Sequence, residues 1–163
     1  MAERAVIGYY LNSKHTLSAK SPWRGVYVHF GEPPELGKTL FRELVKSDAH
    51  VMTLIDAHKC GFSIFPTKPY YEEDCNYFTN KSISTTIKRK SGNYTYQSVE
   101  IAGIRWLYLF NMREKKLNIF EISLEQHRTA KKETYKPKIK LVKSVSYSKN
   151  YPINWAKIGV KKY

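Results

Sequence analysis

Acidic residues are scarce in this 163-residue chain: 14 Asp and Glu stand against 28 Lys and Arg, for a formal net charge of +14. The shortage excludes a near-neutral surface and favours an acidic partner: nucleic acid, anionic lipid or an acidic protein. Cysteine is scarcer still, with only Cys60 and Cys75. Two thiols in a chain this long do not suggest a disulfide framework. The expectation is a reducing cytoplasm, with Cys60 a buried thiol beside Gly61. No apolar run approaches the roughly 18 residues of a membrane span. The N-terminal MAERAVIGYYLNSK has a short apolar run without a small-residue cleavage site, so no signal peptide is read. Without secretion, the glycosylation patterns at Asn80-Lys81-Ser82 and Asn93-Tyr94-Thr95 carry no meaning. Internal repeats and low-complexity tracts are absent. The length suits one domain and falls short of the roughly 250 residues of a TIM barrel. Hydrophobic residues make up 42% and aromatics 14%, which excludes a disordered chain.

The positive charge is concentrated. Residues 128–163 hold eleven basic residues and one acid, Glu133, whereas residues 1–127 hold 17 basic and 13 acidic ones. This divides the chain into an α+β core domain, 1–127, and a basic C-terminal segment, 128–163, part edge strand and part tail.

Local patterns set the elements. Residues 5–11 (AVIGYYL) are β-branched and aromatic and read as a strand. Residues 24–30 (RGVYVHF) alternate, with Val26, Val28 and Phe30 on one face and Gly25, Tyr27 and His29 on the other. A rigid turn, GEPPELG, follows. Leu36, Leu40, Leu44 and Val45 recur at helical spacing. Ser47 and Asp48 then offer an N-cap for a second helix, which carries Val51, Ile55 and His58 and stops at Gly61. Residues 82–88 and 94–99 flank Lys88-Arg89-Lys90 at an expected hairpin tip. A stronger hairpin joins 105–110 (RWLYLF) to 116–122 (KLNIFEI), and 138–145 (KIKLVKSV) reads as a basic edge strand. The expected fold is α+β: an antiparallel or mixed sheet of about five to seven strands, with two short helices grouped after the second strand.

Residues 24–44 resemble a group of small uncharacterised proteins of phages, plasmids and bacterial genomes. Their hallmark is Gly-Ile/Val-Tyr-x-His-Trp-Asp-Gly-Tyr-Pro, then Gly and a leucine-rich helix. Gly25, Val26, Tyr27, His29, a proline at 33 or 34, Gly37 and Leu40 match it. The run 51–59 is similar to the group's second helix, and 106–110 to its Tyr-Leu-Phe strand. The resemblance covers roughly residues 20–122. Phe30 replaces the Trp, Gly31-Glu32 replaces Asp-Gly, and everything after 127 lies outside the match. The resemblance implies a mobile-element origin and a fold, but no reaction.

Candidate sites are few. Gly31, Gly37, Lys38 and Thr39 imitate a P-loop, but the spacing is one residue too long. Pro33 and Pro34 also remove phosphate-binding N–H donors, and Glu32 and Glu35 would repel phosphate. His50, His58, Cys60 and Cys75 lack the paired spacing of a zinc site, so no metal and no cofactor are expected. Tyr27 and His29 share a strand face and form a possible ligand pocket, able to grip phosphate or move a proton. His127-Arg128-Thr129 is a single His-x-Thr, half of what a two-histidine phosphoesterase needs. The richest feature is the basic, aromatic C-terminal segment. Lys131, Lys132, Lys136, Lys138, Lys140 and Lys143, with Lys88, Arg89 and Lys90, would neutralise phosphates, while Tyr135 and Tyr147 offer stacking faces, with Trp155 nearby. On one strand, Lys136, Lys138 and Lys140 point to one side.

The sequence thus points to a non-enzymatic, cytoplasmic phage or mobile-element protein that binds nucleic acid or a host nucleoprotein complex, not a membrane. Anti-CRISPR-like interference with host defence fits its origin and size. The alternatives are a small nuclease or nucleotide-processing enzyme using His29, Tyr27 and Glu32, and a protein-only inhibitor of a host factor.

Overall fold

The computed structural model describes residues 3–12, 17–70, 75–83, 87–90, 103–129, 132–147 and 155, with the backbone alone described at 87–90, 126–129 and 132–136. Nine strands form one sheet: β1 (Arg4–Tyr10), β2 (Trp23–Val28), β3 (Phe62–Ile64), β4 (Lys68–Pro69), β5 (Phe78–Thr79), β6 (Ile87–Lys90), β7 (Ile104–Asn111), β8 (Lys116–Thr129) and β9 (Lys132–Ser146). Helices α1 (Lys38–Lys46) and α2 (Asp48–Ala57) follow β2. The order across the sheet is β4-β3-β2-β1-β7-β8-β9-β6, and β5 also pairs with β2. The β1–β7 and β2–β3 pairs are parallel and the rest antiparallel. The fold is therefore α+β with a mixed sheet and both helices after the second strand. The two-residue strands β4 and β5 are too short to leave a sequence pattern.

Burial explains the composition of the strands. The central pair β1 and β7 is covered on both faces, so AVIGYY and WLYLF read as continuous apolar runs. Helix α1 buries Leu40 and Leu44, four apart and hence on one face. In α2 the Ser47 hydroxyl caps the N-terminus by accepting from the His50 N–H at 3.4 Å, and Val51 and Ile55 face the sheet. Helix α2 ends at Ala57, short of the expected stop, and the chain then turns into β3 through Gly61 at φ +79°, where a Cβ would collide with the Tyr27 carbonyl. Only glycine fits there.

Two cores result. The helix-side core joins Ile7, Val26, Leu40, Ile55, Tyr108, Ile119 and their neighbours. On the other face Val6, Trp23, Leu107, Leu109, Phe120 and Ile122 lie beneath Ala19 and Ile83. Among the described residues, no helix is long and apolar enough to cross a membrane.

Four expectations need revision. Cys60 and Cys75 form a disulfide, so Cys60 is a half-buried bridge residue and not a buried thiol. Their separation of 15 residues hid a pairing made by the returning chain after β4. Tyr147 and Trp155 are buried in the helix-side core. The Trp155 ring fills the space a Gly37 side chain would need and lies 6.1 Å from the Phe41 ring. Neither can stack on a base, because helix–sheet packing has already used their faces. Finally, Lys88, Arg89 and Lys90 belong to β6, paired with β9, and are not a hairpin tip. The hairpin's expected second strand, 94–99, lies outside the described residues.

Candidate nucleic-acid interface

The basic C-terminal segment enters the sheet. Strand β8 runs past residue 127 to Thr129, and β9 returns along it from Thr129↔Lys132 to Lys116↔Ser146. The β7 pairing stops at Trp106↔Glu121, so residues 122–129 of β8 are paired, among the described residues, only with β9, as a ribbon. Eight residues at about 3.3 Å each make this arm roughly 26 Å long.

Register decides where its charges point. Ile119 faces the helix-side core and is paired with Lys143; Glu121 is paired with Lys140, and Ser123 with Lys138. Side chains alternate along a strand, so positions 140 and 143 should fall on opposite faces. A bulge between Ile119 and Phe120 inserts Val142 as an extra residue on β9 and brings Lys143 onto the face of Lys140. Lys138, Lys140 and Lys143 are all exposed. Acids interleave them: Glu125 approaches Lys138 at 3.3 Å, and Arg105 approaches Glu121 at 3.6 Å. The exposed Lys138–Glu125 pair contributes about 0–1 kcal/mol, little enough for a phosphate to compete.

The backbone register continues the row. Lys136 stands opposite Glu125, Lys132 opposite Thr129, Lys90 opposite Lys132, Lys88 opposite Thr134, Arg89 opposite Glu133, and Tyr135 opposite both Gln126 and Ile87. Lys131 lies outside the described residues.

Tyr27 and His29 sit on the other face. Tyr27 is paired with Val6, Val6 with Leu107, Leu107 with Phe120 and Phe120 with Leu141, all on the side opposite the lysines. The Tyr27 hydroxyl lies 2.7 Å from His29 Nδ1. Tyr70 packs against both rings, at 5.1 Å from Tyr27 and stacked at 5.9 Å on His29, and exposed Phe30 meets His29 edge-on at 4.8 Å. The sheet separates this cluster from the lysine row. Glu32, the third residue of the enzymatic alternative, is exposed and opens the turn before α1. Lys38 is also exposed, as a strand–turn–helix corner requires. Cys60 and Cys75, being bridged, offer no thiolate to a metal. His58 Nδ1 is engaged by the Leu54 carbonyl at 2.9 Å, and His50 lies 3.6 Å from Glu43.

A polar cluster went unseen in the sequence. Arg24 Nε donates to the Tyr9 hydroxyl at 2.6 Å, Tyr9 donates to Asp56 at 2.7 Å, and Arg24 reaches Asp56 at 3.3 Å. The guanidinium lies between the Tyr9 and Tyr77 rings, at 5.3 and 5.2 Å. Burial, and then the Asp56 carboxylate, push the Tyr9 hydroxyl up to about 12. Four chain segments build this site, and the only local hint was an arginine at the start of a strand.

No protein-family model, no curated protein and no solved structure matches this chain.

Proposed function

We propose that the protein binds nucleic acid, alone or within a nucleoprotein complex, by laying the β8–β9 arm along the phosphate backbone, and that it catalyses no reaction there. The observation that carries this reading is the exposed row of Lys138, Lys140 and Lys143 on one face of β9, aligned by the Val142 bulge. A net charge of +14 supplies the long-range attraction. Phosphate contacts position such a protein without reading sequence, and the arm carries no recognition helix, so little base specificity follows. A mobile-element origin and interference with host defence belong to this proposal and rest on the resemblance at residues 24–44. The Cys60–Cys75 bridge removes the support that free thiols lent to a cytoplasmic placement.

Fluorescence anisotropy with a labelled duplex tests the reading. Affinity should fall steeply between about 50 and 200 mM salt, and Lys138→Glu/Lys140→Glu/Lys143→Glu should shrink the slope of log K against log salt by about 3. Absence of binding at low salt, or an unchanged slope in the variant, refutes it.

A further inference from the structure

At the root of the arm, on the face opposite the lysines, lies a cavity of about 620 Å³. That is within the roughly 300–1,000 Å³ typical of ligand sites. Among the described residues, three segments line it: Ser18, Ala19 and Lys20 from the β1–β2 loop, Asn80, Lys81 and Ile83 from the helical turn Asn80–Ile83, and Pro137 and Ile139 from β9.

Its walls are held in place. The Trp23 indole N–H donates to the Ala19 carbonyl at 2.7 Å, and the Ser18 and Ser21 hydroxyls accept backbone N–H groups within the same turn. The Ser82 hydroxyl accepts the Thr79 N–H at 3.0 Å. The Asn80 amide crosses to the Lys20 carbonyl at 3.4 Å, a distance at which it can exchange that partner for a better one.

The lining has three parts. Ile83, Ile139 and Pro137 form an apolar slot, and Asn80 and Ser18 supply polar groups that can pair with a ring edge. Lys20 and Lys81 stand exposed at the rim, and none of the described lining residues is a carboxylate. An apolar slot, an amide and a cation are what a nucleotide's ring face, ring edge and phosphate require. The outer edge of β9 provides continuity, because β6 pairs only with positions 132–135 and the described residues pair nothing beyond. A phosphodiester chain on the lysine face needs only to turn over this edge to reach Pro137 and Ile139. We infer that this cavity receives one unpaired nucleotide of a single strand whose backbone follows the β9 lysines. This inference rests on the nucleic-acid reading above and adds that the partner is single-stranded where it meets the arm.

Anisotropy with labelled oligothymidylate and a duplex of equal length tests the inference and separates it from the reading beneath it. The single strand should bind more tightly. Ile139→Ala, which changes no charge, and the surface variant Lys20→Ala should each weaken oligothymidylate about fivefold while leaving duplex affinity unchanged. Melting curves would verify that both variants fold. Equal binding of the two probes, or pocket variants that weaken both alike, overturns the pocket and leaves the lysine interface standing. Saturation of the cavity by sodium laurate with no preference for single strands assigns it to aliphatic anions and also overturns the inference. If neither oligonucleotide binds at low salt, both proposals fall.

Discussion

Arg24 shows how much one side chain can organise. It ties β2 to β1 through Tyr9 and to α2 through Asp56, while Tyr77 covers its other face and donates to the Asp56 backbone carbonyl at 3.2 Å. The ion pair is partly exposed, so its charge attraction alone contributes at most about 1 kcal/mol. Tyr9→Phe should cost roughly 1 kcal/mol in urea denaturation, the ordinary worth of a part-buried hydrogen bond. A null result would show that water replaces the hydroxyl without loss. The tyrosines also set an alkaline limit. Burial pushes both Tyr9 and Tyr10 up to about 12 and holds Tyr108 well above its ordinary value of 10. A raised tyrosine keeps its proton in the folded state after the unfolded chain has released it. The stabilisation is therefore whole below pH 10 and drains away as pH rises from 10 towards 12. For Tyr10 the rise from 10 to about 12 corresponds to about 2–3 kcal/mol at the top of that window. Urea midpoints should hold steady from pH 8 to about 10 and then drop, less steeply in Tyr10→Phe; a flat profile to pH 12 contradicts the assignment. Gly61 was legible as a break, but α2 ends earlier than expected, at Ala57 with His58 as its C-cap, and the Tyr27 carbonyl beside Gly61 was not legible. Gly61→Ala should cost about 1–3 kcal/mol through its positive φ, and more through the collision.

At the scale of elements, the disulfide does what a strand of two residues cannot. Pairing with β2 at Arg24↔Thr79 and Gly25↔Phe78 is the whole ladder of β5. The Cys60–Cys75 bridge shortens the tether that brings Tyr77 and Phe78 back to the sheet. Closing a loop of this length is worth about 3 kcal/mol. Cys60→Ser/Cys75→Ser should lose about that much in urea denaturation, with the largest rise in amide exchange at residues 75–79. Exchange rising uniformly instead would mean that the bridge stabilises the fold as a whole. The β8–β9 ribbon gives the opposite lesson. Its alternation of Lys with Ile, Leu and Val was plain in the sequence, and the strand formed. The bulge that turns Lys143 onto the face of Lys140 was not plain, because an extra residue is defined only against the partner strand.

Across the whole molecule, the sheet separates two surfaces that the sequence listed side by side. The lysine row lies on the helix-side face, and Tyr27 with His29 lies on the other. His29→Ala should therefore leave duplex affinity and its salt slope unchanged while Lys138→Glu/Lys140→Glu/Lys143→Glu lowers both; equal losses would mean that one ligand wraps both faces. The amino-acid sequence by itself determined the positive excess, the α+β class, and the existence of β1, β2, both helices, β7 and β8, because side-chain periodicity is a local property of the chain. Tertiary structure alone decided the β6–β9 pairing, the cysteine bridge and the retreat of Tyr147 and Trp155 into the core. A strand carries no record of its distant partner. An aromatic ring, likewise, is equally suited to a packed interior and an open surface until the rest of the chain closes over it.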